Sequence, residues 1–112
     1  GIGVDWLVGG GGDDVLAGGG DVDRLVGGGG DDVLAGGGDV DSFVFNTAAW
    51  GDDTINDFAD GVEMMDMRGS GASAGTLNVV TSGTDAIVDF GTGQTITLIG
   101  QAGSIDATDF IF

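Results

Sequence analysis

The 112-residue chain contains no cysteine, histidine, tyrosine or proline, and its only basic residues are Arg24 and Arg68. Without cysteine there are no disulfides, thiolate metal sites or sulfur nucleophiles. Without histidine, zinc sites of the usual kind and histidine-based catalysis are excluded. Nucleic acid and other polyanions are poor partners, because counterion release needs clusters of Lys and Arg. No apolar run reaches the roughly 18 residues from which a membrane-spanning helix is read. No signal-peptide pattern opens the chain, which starts without methionine in the middle of a repeat. It therefore reads as a fragment of a longer protein.

What the chain has is aspartate and glycine. The formal net charge is −17, and every acid except Glu63 is aspartate. Self-repulsion at this level opposes a compact state. Glycine supplies 26 residues, which makes ordering the backbone entropically costly. Something beyond ordinary core burial has to offset both terms, and a cation is the natural candidate.

A nine-residue unit runs through residues 1–45. Its sixth and eighth positions are Asp5/Leu7, Asp14/Leu16, Asp23/Leu25, Asp32/Leu34 and Asp41/Phe43, with no slip between units. A strict short period signals a solenoid. Glycines suit the turns, and the triplets at 6–8, 15–17, 24–26, 33–35 and 42–44 have strand character. The middle residue of each triplet points opposite to its neighbours, so Leu7, Leu16, Leu25, Leu34 and Phe43 should point inward. Two units make one 18-residue coil, and the expected fold is an all-β parallel β-roll of the right-handed β-helix type. Trp6, beside an inward leucine, should face out, where an aromatic binds a sugar or packs on a neighbouring domain. Arg24 is expected as a surface ion-pair partner.

Residues 46–68 break the period. Asn46–Trp50 interrupts it, Gly51–Ile55 restores it once, and 57–66 read as an irregular closing coil and cap. Trp50 is expected to cover the open end of the roll, with Met64, Met65 and Met67 filling the cap. Residues 69–112 form a C-terminal β region with strands expected at 76–81, 85–90 and 94–99. Ser82-Gly83-Thr84 and Gly91-Thr92-Gly93 are the hairpin turns. A helical turn with Ser104 as N-cap and a strand-like Phe110–Phe112 follow.

Each turn exposes backbone carbonyls and ends in a carboxylate. Stacked turns bring two half-sites together, giving several oxygens around one point. That suits Ca2+, with six to eight oxygen ligands, better than Mg2+. A disordered acidic linker does not explain the strict register. A metal-free solenoid would stack aspartates about 4.8 Å apart without relief. A phosphate-binding glycine loop conflicts with the adjacent carboxylates, and no segment has EF-hand spacing.

Residues 1–45 resemble the RTX nonapeptide repeat, Gly-Gly-x-Gly-x-Asp-x-hydrophobe-x, a Ca2+-binding β-roll repeat. Ser42–Phe45, Gly51–Phe58 and Gly61–Glu63 resemble the stretch that closes the roll in serralysin-like proteases. Gln94–Gly100 and Asp109–Phe112 are similar to the C-terminus of type I secretion substrates. The resemblance implies Ca2+ between turns two units apart, held by glycine carbonyls and the position-six aspartates. On one edge it groups Gly1, Gly3 and Asp5 with Gly18, Gly20 and Asp23. On the same edge it groups Gly19, Asp21 and Asp23 with Gly36, Gly38 and Asp41, with Gly37 and Asp39 as further carbonyl positions. On the opposite edge it groups Gly10, Gly12 and Asp14 with Gly27, Gly29 and Asp32. A fourth site joins Gly28, Gly30 and Asp32 to Asp53, and Asp57 and Glu63 are further candidates. Asp21 and Asp39 depart from the pattern by replacing the position-four glycine. Glu63-Met-Met-Asp66 departs from the usual closing motif. Asp13 and Asp31, at position five, should face solvent.

The resemblance implies a secreted, extracellular module that takes up about four Ca2+ and folds outside the cell. Its partners would be an upstream domain of the same parent chain and the type I secretion apparatus. A second reading is a Ca2+-dependent polysaccharide-binding module like those of mannuronan epimerases. Two basic residues are few for an anionic polymer, which leaves neutral glycans open. Catalysis within the chain has no His, Cys or Tyr to draw on, so an enzyme activity would reside upstream.

Overall fold

A computed structural model describes residues 4–47, 49–59, 62–91 and 93–112. The five repeat triplets become strands β1 (Trp6–Gly10), β2 (Val15–Gly19), β3 (Arg24–Gly28), β4 (Val33–Gly37) and β5 (Ser42–Val44). The first four extend two residues beyond the triplets, into the glycines that open the next unit. Then come β6 (Asp53–Ile55), β7 (Met64–Asp66), β8 (Asn78–Ser82), β9 (Asp85–Asp89), β10 (Thr95–Leu98) and β11 (Phe110–Ile111).

Alternate strands go to opposite walls. One sheet runs β1-β3-β5-β7-β11 and the other β2-β4-β6-β10-β9-β8. Pairing within the repeat is parallel and in register: Leu7 faces Leu25, Leu25 faces Phe43, and Leu16 faces Leu34. The fold is the expected all-β parallel roll. Its register survives the interruption at 46–50, since Leu34 pairs with Ile55 and Phe43 with Met65. The extra residues are absorbed in the turns, where length is free, and not in the ladders, where it is not.

The inward residues meet between the two sheets. Leu25, Leu34, Phe43, Ile55 and Met65 are fully buried, and Leu7 and Leu16 are partly buried against the same core. Full burial of one such side chain stabilises the roll by about 1.5–3 kcal/mol. One inward apolar residue per nine is a thin core, so stacking alone leaves the charge repulsion largely unopposed.

The closing segment does more than cap. Met64–Asp66 is a strand of the first sheet, with Met65 and Met67 buried and Met64 half-buried. Trp50 is not spread over an open end. It is 1% exposed and packs edge-on against both Phe45 and Phe90. The C-terminal strands pair antiparallel as β8-β9-β10, with Gly83 and Thr84 between β8 and β9. Gly91 and Gly93 lie between β9 and β10, while Thr92 falls outside the described residues. β10 then pairs parallel with β6, and β11 with β7, so this region extends both walls of the roll. The helical turn is a single 3-10 turn at Ala107–Asp109. Its N-cap is Asp106 and not Ser104, because the Asp106 carboxylate accepts the Thr108 N–H and Asp109 answers on the Asp106 N–H.

Candidate metal-binding edges

The turns stack into two edges, one on each side of the roll. On the first, the Asp5 N–H donates to Asp23 Oδ1 and the Asp23 N–H to Asp41 Oδ1, both at 2.9 Å. On the second, the Asp14 N–H donates to Asp32 Oδ1 at 2.9 Å and the Asp32 N–H to Asp53 Oδ1 at 2.8 Å. The carboxylates of Asp23, Asp32, Asp41 and Asp53 thus each tie their own turn to the turn one coil earlier.

That bond uses one carboxylate oxygen. The other, Oδ2 of Asp23, Asp32 and Asp41, is buried with no hydrogen-bond partner, as is Oδ2 of Asp14. A buried carboxylate oxygen without a partner is costly unless a cation meets it. Each of these oxygens is aimed at the first glycine of its own turn. A Cβ on Gly9 would stand 2.6 Å from Asp14 Oδ2 and 2.8 Å from the Gly27 carbonyl of the next coil. A Cβ on Gly18 would collide with Asp23 Oδ2 and lie 2.7 Å from the Gly36 carbonyl. A carboxylate from one turn and a carbonyl from the next coil therefore flank the same point. This hard oxygen donor set fits Ca2+. Among the described residues, no three acidic side chains are gathered as a metal-holding group. Any ion here would depend on backbone carbonyls as much as on carboxylates.

The glycine turns hold an alternating backbone. Positions two and four lie in the left-handed region, as at Gly10 (φ 94°) and Gly12 (φ 89°). Asp21 (φ 69°) and Asp39 (φ 64°) adopt the same conformation at position four. Aspartate tolerates this better than most residues, and the Asp21 N–H donates to Asp39 Oδ2 at 3.1 Å. Gly27 and Gly36 are buried, Gly28, Gly29 and Gly30 half-buried, and Gly19, Gly20, Gly37 and Gly38 exposed on the crests. Gly1 and Gly3 lie outside the described residues.

Burial without counter-charge shows in the acids. Desolvation pushes the Asp53 carboxyl up to about 7, with Asp32, Asp31 and Asp52 adding repulsion. Burial likewise raises Glu63 to about 7, with Asp41 adding to it. Asp32 and Asp41 are also raised, again chiefly by burial. Asp66 goes the other way, lowered mainly by its hydrogen bonds from Arg68.

Asp13 and Asp31 are exposed, as expected, but they are also structural. The Asp31 N–H donates to Asp13 Oδ1 at 2.8 Å, and the Asp52 N–H to Asp31 Oδ1 at 2.9 Å. This second ladder has the opposite polarity to the position-six ladder beside it. It ends on β10, where the Thr95 N–H donates to Asp52 Oδ1 at 3.0 Å. The Asp-Asp pairs at 13–14, 31–32 and 52–53 were its signal in the sequence. The two further candidates accept backbone N–H groups. Asp57 accepts the Gly36 and Gly37 N–H groups, and Glu63 accepts those of Asp41 and Ala59.

Residues 1–34 and 18–46 match the family model of the RTX calcium-binding nonapeptide repeat. The match covers the repeats that form β1 to β5 of the roll. No curated protein matches the chain significantly. Among solved structures, the roll and its C-terminal strands resemble the extracellular lipase LipA from Serratia marcescens, at 25% identity and a TM-score of 0.66. That match covers 96% of this chain and 20% of the lipase, so the chain spans about a fifth of that protein. They also resemble the AlgE6R3 subunit of the mannuronan C5-epimerase from Azotobacter vinelandii, at 26% identity and a TM-score of 0.68. Here 97% of this chain and 78% of the subunit are covered.

Proposed function

We propose that this chain is a Ca2+-dependent folding module of a secreted protein, without catalytic activity of its own. The observation that carries the reading is the row of buried, unpartnered Oδ2 atoms on Asp14, Asp23, Asp32 and Asp41, in a chain of charge −17. Ca2+ supplies positive charge and a flexible coordination shell there. Gly1, Gly3 and Asp5 would share an ion with Gly18, Gly20 and Asp23. Gly19, Asp21 and Asp23 would share one with Gly36, Gly38 and Asp41. On the other edge, Gly10, Gly12 and Asp14 pair with Gly27, Gly29 and Asp32, and Gly28, Gly30 and Asp32 with Asp53. About four ions would bring the formal charge from −17 to −9.

Where Ca2+ is scarce, repulsion and glycine entropy keep the segment unfolded. Where it is abundant, binding free energy becomes folding free energy. This fits a module that passes unfolded through a type I secretion apparatus and then folds outside, stabilising an upstream effector or enzyme domain. In this reading residues 1–45 are the Ca2+ roll, 46–68 close it, and 69–112 carry the export signal. Circular dichroism during a Ca2+ titration tests the proposal. A coil-like spectrum in chelator should convert cooperatively to a strand spectrum as Ca2+ is added. A strand spectrum that chelator leaves unchanged would overturn it.

A further inference from the structure

Arg24 stands beside the exposed indole of Trp6 and shares the Asp66 carboxylate with Arg68. Trp6 is 69% exposed on β1 and pairs in register with Arg24 on β3. The Arg24 guanidinium carbon lies 5.6 Å from the Trp6 ring centroid, and its Nη2 is 3.8 Å from Asp66 Oδ2. Arg68 holds the same carboxylate with two bonds, Nε to Oδ1 at 3.0 Å and Nη2 to Oδ2 at 2.7 Å. The Asp66 side chain is 8% exposed, whereas those of Arg24 and Arg68 are 42% and 61% exposed. One buried carboxylate therefore holds the Arg68 guanidinium by hydrogen bonds and faces that of Arg24, which lies over a flat aromatic ring. Surface ion pairing alone does not call for the aromatic ring, and an apolar docking face does not call for the guanidinium groups.

We propose that Trp6, Arg24 and Arg68 form a binding platform for a neutral glycan on the outer wall of the β1-β3-β5-β7-β11 sheet. A pyranose stacks its C–H face on the indole, while the guanidinium N–H groups donate to ring and hydroxyl oxygens. Asp66 is a positioning residue, holding the donors before the sugar arrives and lowering the ordering cost of binding. Charge selects the class of sugar. The two guanidinium groups are already offset in part by Asp66. The wall is only about 17 Å across along its five-residue strands, with aspartate turns on both sides. A polyanionic chain crossing it would run against those edges, and a neutral chain would not. This platform is separate from the metal-binding turns and goes beyond the folding reading.

The test is isothermal titration of the full chain in millimolar Ca2+, after circular dichroism has verified the strand spectrum. The probes are neutral hexasaccharides of β-1,4-glucan, β-1,4-mannan and β-1,3-glucan, with a mannuronate hexamer as the anionic probe. At least one neutral hexasaccharide should bind, and Trp6→Ala should weaken it about tenfold, typical of losing one aromatic stack. Arg24→Lys and Arg68→Lys should each weaken it too, because the fixed fork of donors is lost while the charge remains. All three variants should keep the Ca2+-induced strand spectrum, since these side chains are exposed. The proposal is overturned if no neutral hexasaccharide binds, if Trp6→Ala binds as tightly as the parent chain, or if the mannuronate hexamer binds more tightly than every neutral one. Folding and sugar binding are read separately, so failure of one is distinguishable from failure of the other.

Discussion

The Asp23 N–H donates to Asp41 Oδ1 at 2.9 Å, while Asp41 Oδ2 is buried without a partner. One carboxylate thus does two jobs. It ties the backbone of the previous coil, and it leaves a bare oxygen against Gly36, the first glycine of its own turn. The first job can be met by an amide side chain, but the second needs negative charge.

This separation predicts the effect of Asp23→Asn. An asparagine Oδ1 can still accept the Asp5 N–H, yet the charged oxygen beside Gly18 is lost. Apparent Ca2+ affinity should fall at least about tenfold, in line with the 1–3 kcal/mol cost of disturbing a buried polar partner. Asp13→Asn, on the exposed ladder, should change it far less. Calcium titration followed by circular dichroism compares the two, and equal losses would contradict the assignment.

Glycine at position one should be needed for space. In Gly18→Ala the new Cβ collides with Asp23 Oδ2 and crowds the Gly36 carbonyl, whereas nothing lies within 4 Å of a Cβ on Gly20. Gly18→Ala should therefore raise the Ca2+ midpoint severalfold, while Gly20→Ala leaves it near that of the parent chain. Identical midpoints for the two would show that the first glycine is not part of the site.

Core truncation should grade with depth in the stack. Leu25 is fully buried between neighbouring coils, and Leu7, its partner on the terminal strand β1, is only partly buried. Leu25→Ala should cost about 2–5 kcal/mol in saturating Ca2+, and Leu7→Ala clearly less. Urea unfolding measures both, and a larger loss at Leu7 would contradict the stacking order.

Ca2+ uptake should weaken on acidification. Burial raises Asp53 and Glu63 to about 7 from ordinary values of 3.8 and 4.5. The metal-free fold therefore favours their protonated forms. Relative to low pH, its stability declines as pH rises from the ordinary carboxylate range and is fully penalised above about 7. An ion bound beside Asp53 reverses that preference, because it competes with the proton. Apparent Ca2+ affinity should rise between pH 5.5 and 7.5 and then level off. Affinity that is flat across this range would count against a buried carboxylate at the fourth site.

The Asp52–Thr95 bonds should hold the C-terminal strands to the roll. The Thr95 N–H and hydroxyl both reach Asp52 Oδ1, and the neighbouring Gly51 N–H donates to Gln94 Oε1 at 2.7 Å. Asp52→Ala should speed proteolytic cleavage near residues 91–95 in Ca2+ with little change in ion uptake. Unchanged cleavage would show that β6-β10 pairing suffices without the side chain.

The nine-residue period by itself determined the coil, the inward leucines and the repeated turn carboxylates. It also determined the kind of ligand, because glycine carbonyls and aspartate at fixed spacing leave few other chemistries. Those features are local, repeating every turn, and a period in the chain becomes a period in space. Tertiary structure alone decided that β10 and β11 join the walls of the roll, and that Asp52 meets Thr95 across 43 positions. It also decided that Asp57 and Glu63 spend their oxygens on backbone N–H groups, and that Arg24 and Arg68 converge on Asp66 beside Trp6. These contacts occur once each, between segments with no shared period. They depend on how the closing coil packs, and no repeat in the sequence announces them.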